Sequence, residues 1–380
     1  MQNNSLKICF LNSGFPPDFG GVATFSWLLA YHMSLSKQIS HIYVIAFNNS
    51  CPREEKINKK LSVICLPRFS FWKIGIKILR YFLKFYNYDI FHATNIFPVG
   101  FWTIIFGKFV FRKPVFLTFY GTDVLGKSSL KTKFARYIAL KFANKAITIS
   151  NSTAKRTAQY YGFSLNKFPV IYYGLSFEKI EKYSCKKLRK KYNLNKDDFI
   201  VLTVAKLVKR KGIDDLIKAI SLISEEKIKL IIVGKGPERE NLENLVNKLN
   251  LNHRVIFTGP VKDVSYYYAL SDIFVLPSVF LKEKRDIEGL GTVFLEAQQY
   301  GLPVIGTKSG GIPEAIDNRK SGFLVPEKDP NAIKEKILLL FHNEKLRKKM
   351  GNYAKEFVKR KFNWKKCINN YISLYKKAKL

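Results

Sequence analysis

The sequence predicts an α/β protein built from two doubly wound parallel-sheet domains. Three observations carry that expectation. At 380 residues and 43.9 kDa the chain is too long for one ordinary core and suits two domains of roughly 150–200 residues. A hydrophobic content of 47% beside 25% charged residues is globular and excludes wholesale disorder. Short β-branched runs alternate with helical stretches of roughly 10–15 residues, the pattern of parallel sheets covered on both faces, and the series occurs twice.

The first series places strands at Lys7–Leu11, His41–Phe47, Ile90–His92, Val115–Phe119, Ala146–Ile149 and Val170–Tyr172, with a helix over Val22–Leu35. The second places them at Ile200–Val204, Leu230–Val233, Val255–Phe257, Ile273–Leu276, Pro303–Ile305 and Gly322–Val325. The seam falls between Gly174 and Asn195, where Lys179–Lys191 is charged and holds no strand. The expected domains are residues 1–180 and 181–359. The closing helix, Asn363–Lys379, could pack on either, and residues 360–380 are assigned to the first.

Charge is lopsided: 65 Lys and Arg against 29 Asp and Glu leave +36. Residues 1–180 hold 24 basic and only 6 acidic side chains, so this half is unusual for lacking acids. Such a surface attracts polyanions: nucleic acid, an anionic leaflet or phosphorylated substrates. The abundance of Lys, Asn, Ile, Phe and Tyr resembles the bias of an AT-rich genome, which would account for part of the excess. The five cysteines, Cys9, Cys51, Cys65, Cys185 and Cys367, are scattered and form no Cys-x-x-Cys, which fits a reducing compartment. Met1–Lys7 is polar, so no secretory signal is expected. The most apolar segment, Ile96–Phe111, is interrupted by Lys108 and two glycines and is short of the ~20 residues of a spanning helix.

Ligands of open parallel sheets bind beyond the carboxyl ends of the strands, where the Gly-rich turns of this chain fall. Gly14–Gly21 follows the first strand, and Gly20 and Gly21 would let backbone amides approach a phosphate at the next helix; a plain loop is the other reading. The chain has neither a Gly-x-Gly-x-x-Gly nor a Gly-Lys-Ser/Thr P-loop. The second series opens with Lys206, Lys209, Arg210 and Lys211 on a strand-to-helix turn. The helix dipole there already favours anions, and a diphosphate is a natural guest. Alone, the turn reads equally well as a solvated basic loop. Gly234 and Gly236 repeat the theme after the next strand.

The sharpest signal runs from Glu288 to Pro303. Glu288 lies in a loop and Glu296 on the following helix, while Gly289, Leu290, Gly291 and Thr292 form the helix start. Glycines there bare the amides to a phosphate, and two carboxylates can hold sugar and ribose hydroxyls. Ser309-Gly310-Gly311 adds a third anion-friendly turn.

These residues resemble the nucleotide-sugar domain of family 4 retaining glycosyltransferases. Glu288 and Glu296 match the family's Glu-x7-Glu, Lys206 and Lys211 its Arg/Lys diphosphate pair, Gly20-Gly21 its glycine loop and Tyr173-Gly174 its interdomain turn. The Glu-Gly-Leu-Gly…Leu-Glu-Ala-Gln run is similar to phosphatidylinositol mannosyltransferases and to lipopolysaccharide or capsule transferases. The resemblance implies a GT-B fold, two Rossmann-like domains facing a cleft. It implies a nucleoside-diphosphate sugar as co-substrate, no metal or other cofactor, and front-face attack in which the departing phosphate accepts the acceptor's proton. Lys206, Lys211 and Glu288 would be catalytic, with Gly20, Gly21, Tyr120, Asp123, Gly234, Gly236, Gly289, Leu290, Gly291, Thr292 and Glu296 on the donor. One position departs: the family's His-Gly-x-Asp reads Tyr120-Gly121-Thr122-Asp123, and a Tyr can donate a hydrogen bond but carries no positive charge near neutral pH. No Asp-x-Asp occurs, which disfavours a metal-chelating diphosphate site.

Lys73, Lys77, Arg80 and Lys84 fall on one helical stripe bordered by Trp72, Phe82 and Phe85. This is the pattern of a membrane-surface helix as well as of an ordinary solvated face. Lys127–Lys145 adds a second basic stretch. The expected partners are a nucleoside-diphosphate sugar, a glycan or lipid-linked acceptor and an anionic membrane, with no specific nucleic acid. The expected place is cytoplasmic, peripheral on the inner membrane face. A catalytically impaired sugar-nucleotide scaffold, resting on Tyr120, and a polyanion-binding protein are the rival readings. His32, His41, His92, His253 and His342 show no metal spacing and read as structural.

Overall fold

The computed structural model describes residues 5–16, 18, 21–48, 53–175 and 182–379. The chain divides into two compact units, Met1–Gly174 with Phe362–Leu380, and Leu175–Lys361.

In the first unit seven strands form one sheet: β1 (Leu6–Asn12), β2 (Ile39–Asn48), β3 (Arg53–Asn58), β4 (Leu61–Pro67), β5 (Ile90–Ala93), β6 (Val115–Phe119) and β7 (Lys145–Thr148). Their order is β3-β4-β2-β1-β5-β6-β7, so the winding reverses between β1 and β5. All pairings are parallel except β3 with β4. That hairpin was not expected. Arg-Glu-Glu-Lys in β3 carries no apolar alternation and is exposed, because an edge strand is better charged than apolar. Val170–Tyr172 is no strand; Val170 makes a single bridge to Thr148. Strands β5 and β6 are buried throughout, as a sheet covered on both faces demands.

Helices close on this sheet where small residues permit. The helix Phe71–Lys84 lays Gly75 against the Trp102 indole, and Gly107 sits against Val115 and Phe82. The closing helix, Trp364–Lys379, buries Cys367, Ile368, Tyr371 and Tyr375 in the first unit. The Tyr375 hydroxyl meets His92 Nδ1, while Thr118 Oγ1 lies 2.8 Å from His92 Nε2. Burial pushes the His92 imidazole down to about 3, so it is neutral at physiological pH.

The second unit holds six parallel strands: β8 (Phe199–Val204), β9 (Ile228–Val233), β10 (Val255–Gly259), β11 (Ile273–Leu276), β12 (Val304–Thr307) and β13 (Gly322–Val325). Their order is β10-β9-β8-β11-β12-β13, with the reversal between β8 and β11. Each expected strand is present. The seam segment supplies a helix, Lys182–Lys191.

Candidate functional site

The reversal point of the second sheet is where a doubly wound fold opens a crevice, and the polar residues of this unit gather there. After β8 the chain runs out through Lys206 and closes a short 3-10 turn over Lys209–Lys211. Gly212, at φ +60, then starts the helix Ile213–Ser221. A Cβ on Gly212 would strike the Pro277 carbonyl, just after β11, so the basic turn is pressed onto the neighbouring strand end.

Lys211 is buried and its Nζ lies 2.5 Å from Glu288 Oε2. Arg210 Nη1 reaches the same oxygen at 2.6 Å, and Ser278 Oγ donates to it at 3.3 Å. The Arg210 Nε lies 2.9 Å from Asp286 Oδ1. All partners of Glu288 converge on Oε2, and Oε1 accepts no hydrogen bond among the described residues. Burial alone would raise the Glu288 carboxyl; Lys211 and Arg210 outweigh it and hold it at about 2. Lys206 and Lys209 are exposed and form no ion pair among the described residues. The expected diphosphate pair is thus split: Lys206 stands open, while Lys211 is engaged with Glu288.

The Glu288–Gly289 backbone supports a third turn. Gly311 N–H donates to the Glu288 carbonyl at 3.0 Å, and a Cβ on Gly310 or Gly311 would collide with the Glu288 or Gly289 carbonyl. Gly291, at φ +78, caps the helix Thr292–Gln299. Leu290 is buried in the core, so its side chain serves packing. Glu296 sits one turn into that helix. The Tyr268 hydroxyl donates to its Oε2 at 2.9 Å, and burial raises its carboxyl despite that bond. Buried Gln298 donates to the Phe294 and Ala315 carbonyls and locks the helix in place.

Gly234 and Gly236 serve the fold first. A Cβ on either would strike the Ala205 or Leu207 carbonyl, and the Gly234 N–H is taken by Gly259 O at 3.0 Å. Their lack of side chains seats the β9 turn on the Lys206 loop.

In the first unit, Gly21 opens the helix Gly21–Ser34, and Gly20 lies outside the described residues. The Tyr120 hydroxyl is buried beside Ser26 and Thr94. It therefore points inward, whereas the sequence placed it on the donor. Asp123 Oδ1 accepts the Tyr120 and Gly121 amides, both at 2.9 Å, and so braces its own turn. On the helix Phe71–Lys84, Trp72, Lys73, Arg80 and Lys84 are exposed and Lys77 half-buried. Phe82 and Phe85 are core residues and do not border that surface.

Sequence reasoning missed Arg210, Asp286, Ser278 and Tyr268 as parts of this arrangement. Arg210 was visible only as one of three adjacent cations. Asp286 belongs to a polar loop without periodicity, and Tyr268 lies 28 residues from its carboxylate.

Residues 185–357 match the family described as glycosyl transferases group 1, and residues 19–179 match glycosyltransferase family 4. An uncharacterised glycosyltransferase of Methanocaldococcus jannaschii is 31% identical over 309 residues, covering 80% of this chain and 78% of its own. The chain belongs to the family 4 glycosyltransferases. A GDP-mannose-dependent phosphatidylinositol monomannoside mannosyltransferase of Mycobacterium tuberculosis is 34% identical over 181 residues, 47% of each chain. The crystal structure of Anabaena HepE in complex with UDP and glucose superimposes with a TM-score of 0.78, covering 98% of this chain and all of that one at 20% identity. The fold is that of the GT-B glycosyltransferases. This glycosyltransferase has, among the described residues, no helix long and apolar enough to cross a membrane.

Proposed function

We propose that this glycosyltransferase moves a hexose-type sugar, with retention and without a metal, from a nucleoside-diphosphate sugar to a lipid-linked or surface-polysaccharide acceptor. The observation that carries the reading is the asymmetry of Glu288. One oxygen is saturated by Lys211, Arg210 and Ser278, and the other is left to accept. An ionised carboxylate held this way can take sugar hydroxyls without being consumed as a nucleophile. Glu296, held by Tyr268, offers the same to ribose hydroxyls.

In the proposed step the acceptor oxygen bonds to the anomeric carbon on the face from which the diphosphate leaves. The anomeric C–O bond breaks as the acceptor's proton passes to the departing phosphate oxygen. Exposed Lys206, the Lys211–Arg210 pair and the start of the helix Thr292–Gln299 stabilise the growing negative charge. The acid-poor first unit supports docking at the cytoplasmic face of an anionic membrane. The capsule transferase CapM of Staphylococcus aureus, 31% identical over 253 residues, supports a polysaccharide context.

The test is a thermal-shift screen of UDP, GDP and ADP in EDTA. Stabilisation by one of them is expected, since a ligand of the folded state raises apparent stability. No shift with any at about millimolar ligand would overturn the donor reading, and a shift only with added Mg²⁺ or Mn²⁺ would overturn metal independence.

A further inference from the structure

Among the described residues fifteen large apolar side chains are exposed, and thirteen of them belong to the first unit, so the exposure is not a general property of the surface. Nine lie on or within two residues of the helices Phe71–Lys84, Ile105–Val110 and Leu130–Phe142. The helix Leu130–Phe142 turns three large apolar side chains outward. Leu130 (85% exposed), Phe134 (66%) and Phe142 (37%) run along its outer side at multiples of four, while Ala135, Ala139 and Leu140 face the core. On Phe71–Lys84 the outer face carries Trp72 (70%), Ile76 (57%) and Leu83 (59%). The groups join: Trp72 packs on Trp102 at 5.4 Å, Trp102 stacks on Phe106 of Ile105–Val110 at 5.5 Å, and Phe109 meets Phe142 edge-on at 4.9 Å. Such a patch left in water costs free energy and marks a docking surface.

Charge decides the occupant. The patch is bordered by Lys73, Arg80, Lys131, Lys133 and Lys141, and from residue 90 to 150 the only acid is Asp123, already turned into its own loop. A second copy of this chain would bring like charges face to face. Apolar side chains ringed by cations suit a surface that is hydrocarbon below and anionic at its rim.

We propose that these three helices form one ledge that inserts its apolar side chains beneath the headgroups of an anionic lipid leaflet, the bordering lysines resting on the phosphates. This rests on the membrane reading above and changes its mode, from purely ionic docking to insertion.

The experiment co-sediments the full chain with phosphatidylglycerol–phosphatidylcholine vesicles bearing brominated acyl chains. It is run at low salt and in about 1 M salt, where the screening length falls to about 3 Å. Two double variants, Leu130→Ser with Phe134→Ser and Phe109→Ser with Phe142→Ser, accompany wild type after circular dichroism shows both folded. Binding that survives high salt, tryptophan quenching lost in Trp72→Phe, and a partition about tenfold or more weaker in each double variant are expected. Binding abolished by salt, unquenched and unmoved by the variants, would overturn insertion and leave ionic docking standing. No sedimentation with anionic vesicles at any salt would overturn both. A dimer in ultracentrifugation that the same variants disperse would replace the lipid with a second copy.

Discussion

Glu288 gathers two cations on one oxygen, and each partner depends on the others. Removing the carboxylate leaves buried Lys211 unpaired, a loss of about 3 kcal/mol, the low end for a buried charge deprived of its partner. A double-mutant cycle between Arg210→Ala and Glu288→Gln, read by urea denaturation, is expected to give a coupling of about 1–3 kcal/mol; additive losses would show that the pair is not coupled. The same variants carry a kinetic expectation. Lys211→Ala is expected to lower kcat about a hundredfold or more, and Arg210→Ala to lower kcat/KM for the donor at least about tenfold. Activity of either within about threefold of wild type would take that cation out of the site. The carboxyl also sets an acid limb. Its folded value of about 2 lies below the ordinary 4.5, so its contribution is whole above about pH 4.5 and is lost as pH falls toward 2.

At the scale of elements, the turns of the second unit are glycine-rich for steric reasons that spacing could not reveal. The sequence read Gly234, Gly236 and Gly311 as amides bared to a phosphate. The structure shows each backed against a neighbouring carbonyl, holding one loop on another. Gly212 combines both demands, a positive φ and the closeness of Pro277. Gly212→Ala is therefore expected to cost about 1–3 kcal/mol in strain alone and to displace Lys211 from Glu288. The measurement is a melting temperature together with nucleotide-dependent stabilisation, both expected to fall. An unchanged melting temperature would show that the turn can move away at no cost. The unexpected β3–β4 hairpin teaches the converse: an exposed, charged edge strand has no hydrophobic period to announce it.

At the scale of the whole molecule, the first unit is discontinuous in the chain, because Phe362–Leu380 returns to it. The return is sealed by His92, which meets Tyr375 from the last helix and Thr118 from β6. Unfolded, this imidazole takes a proton below about 6.5; folded, only below about 3. Stability from this group is therefore full above pH 6.5 and declines by up to about 1.4 kcal/mol per unit as pH falls from 6.5 toward 3. His92→Gln is expected to flatten that decline in urea midpoints measured across this range, though it lowers the plateau. An unaltered pH profile in the variant would exclude His92 as the source.

The two mainly parallel sheets, the family, and the placing of Glu288 in a loop and Glu296 on the next helix were readable from the chain itself. Strand period, Gly-rich strand ends and residue spacing along a helix are local properties that neighbouring residues enforce. What those residues touch was decided only by folding. The positions 210, 211, 278, 286 and 288 meet because β8 and β11 are adjacent in the sheet, although far apart in sequence. The same holds for Tyr120, whose neighbours Ser26 and Thr94 come from other elements. Long-range burial turned it inward, and turned Leu130 and Phe134 outward. Side-chain identity gives each residue its chemistry, but which groups share a desolvated oxygen follows from the packing of distant segments, and so appears only in the tertiary structure.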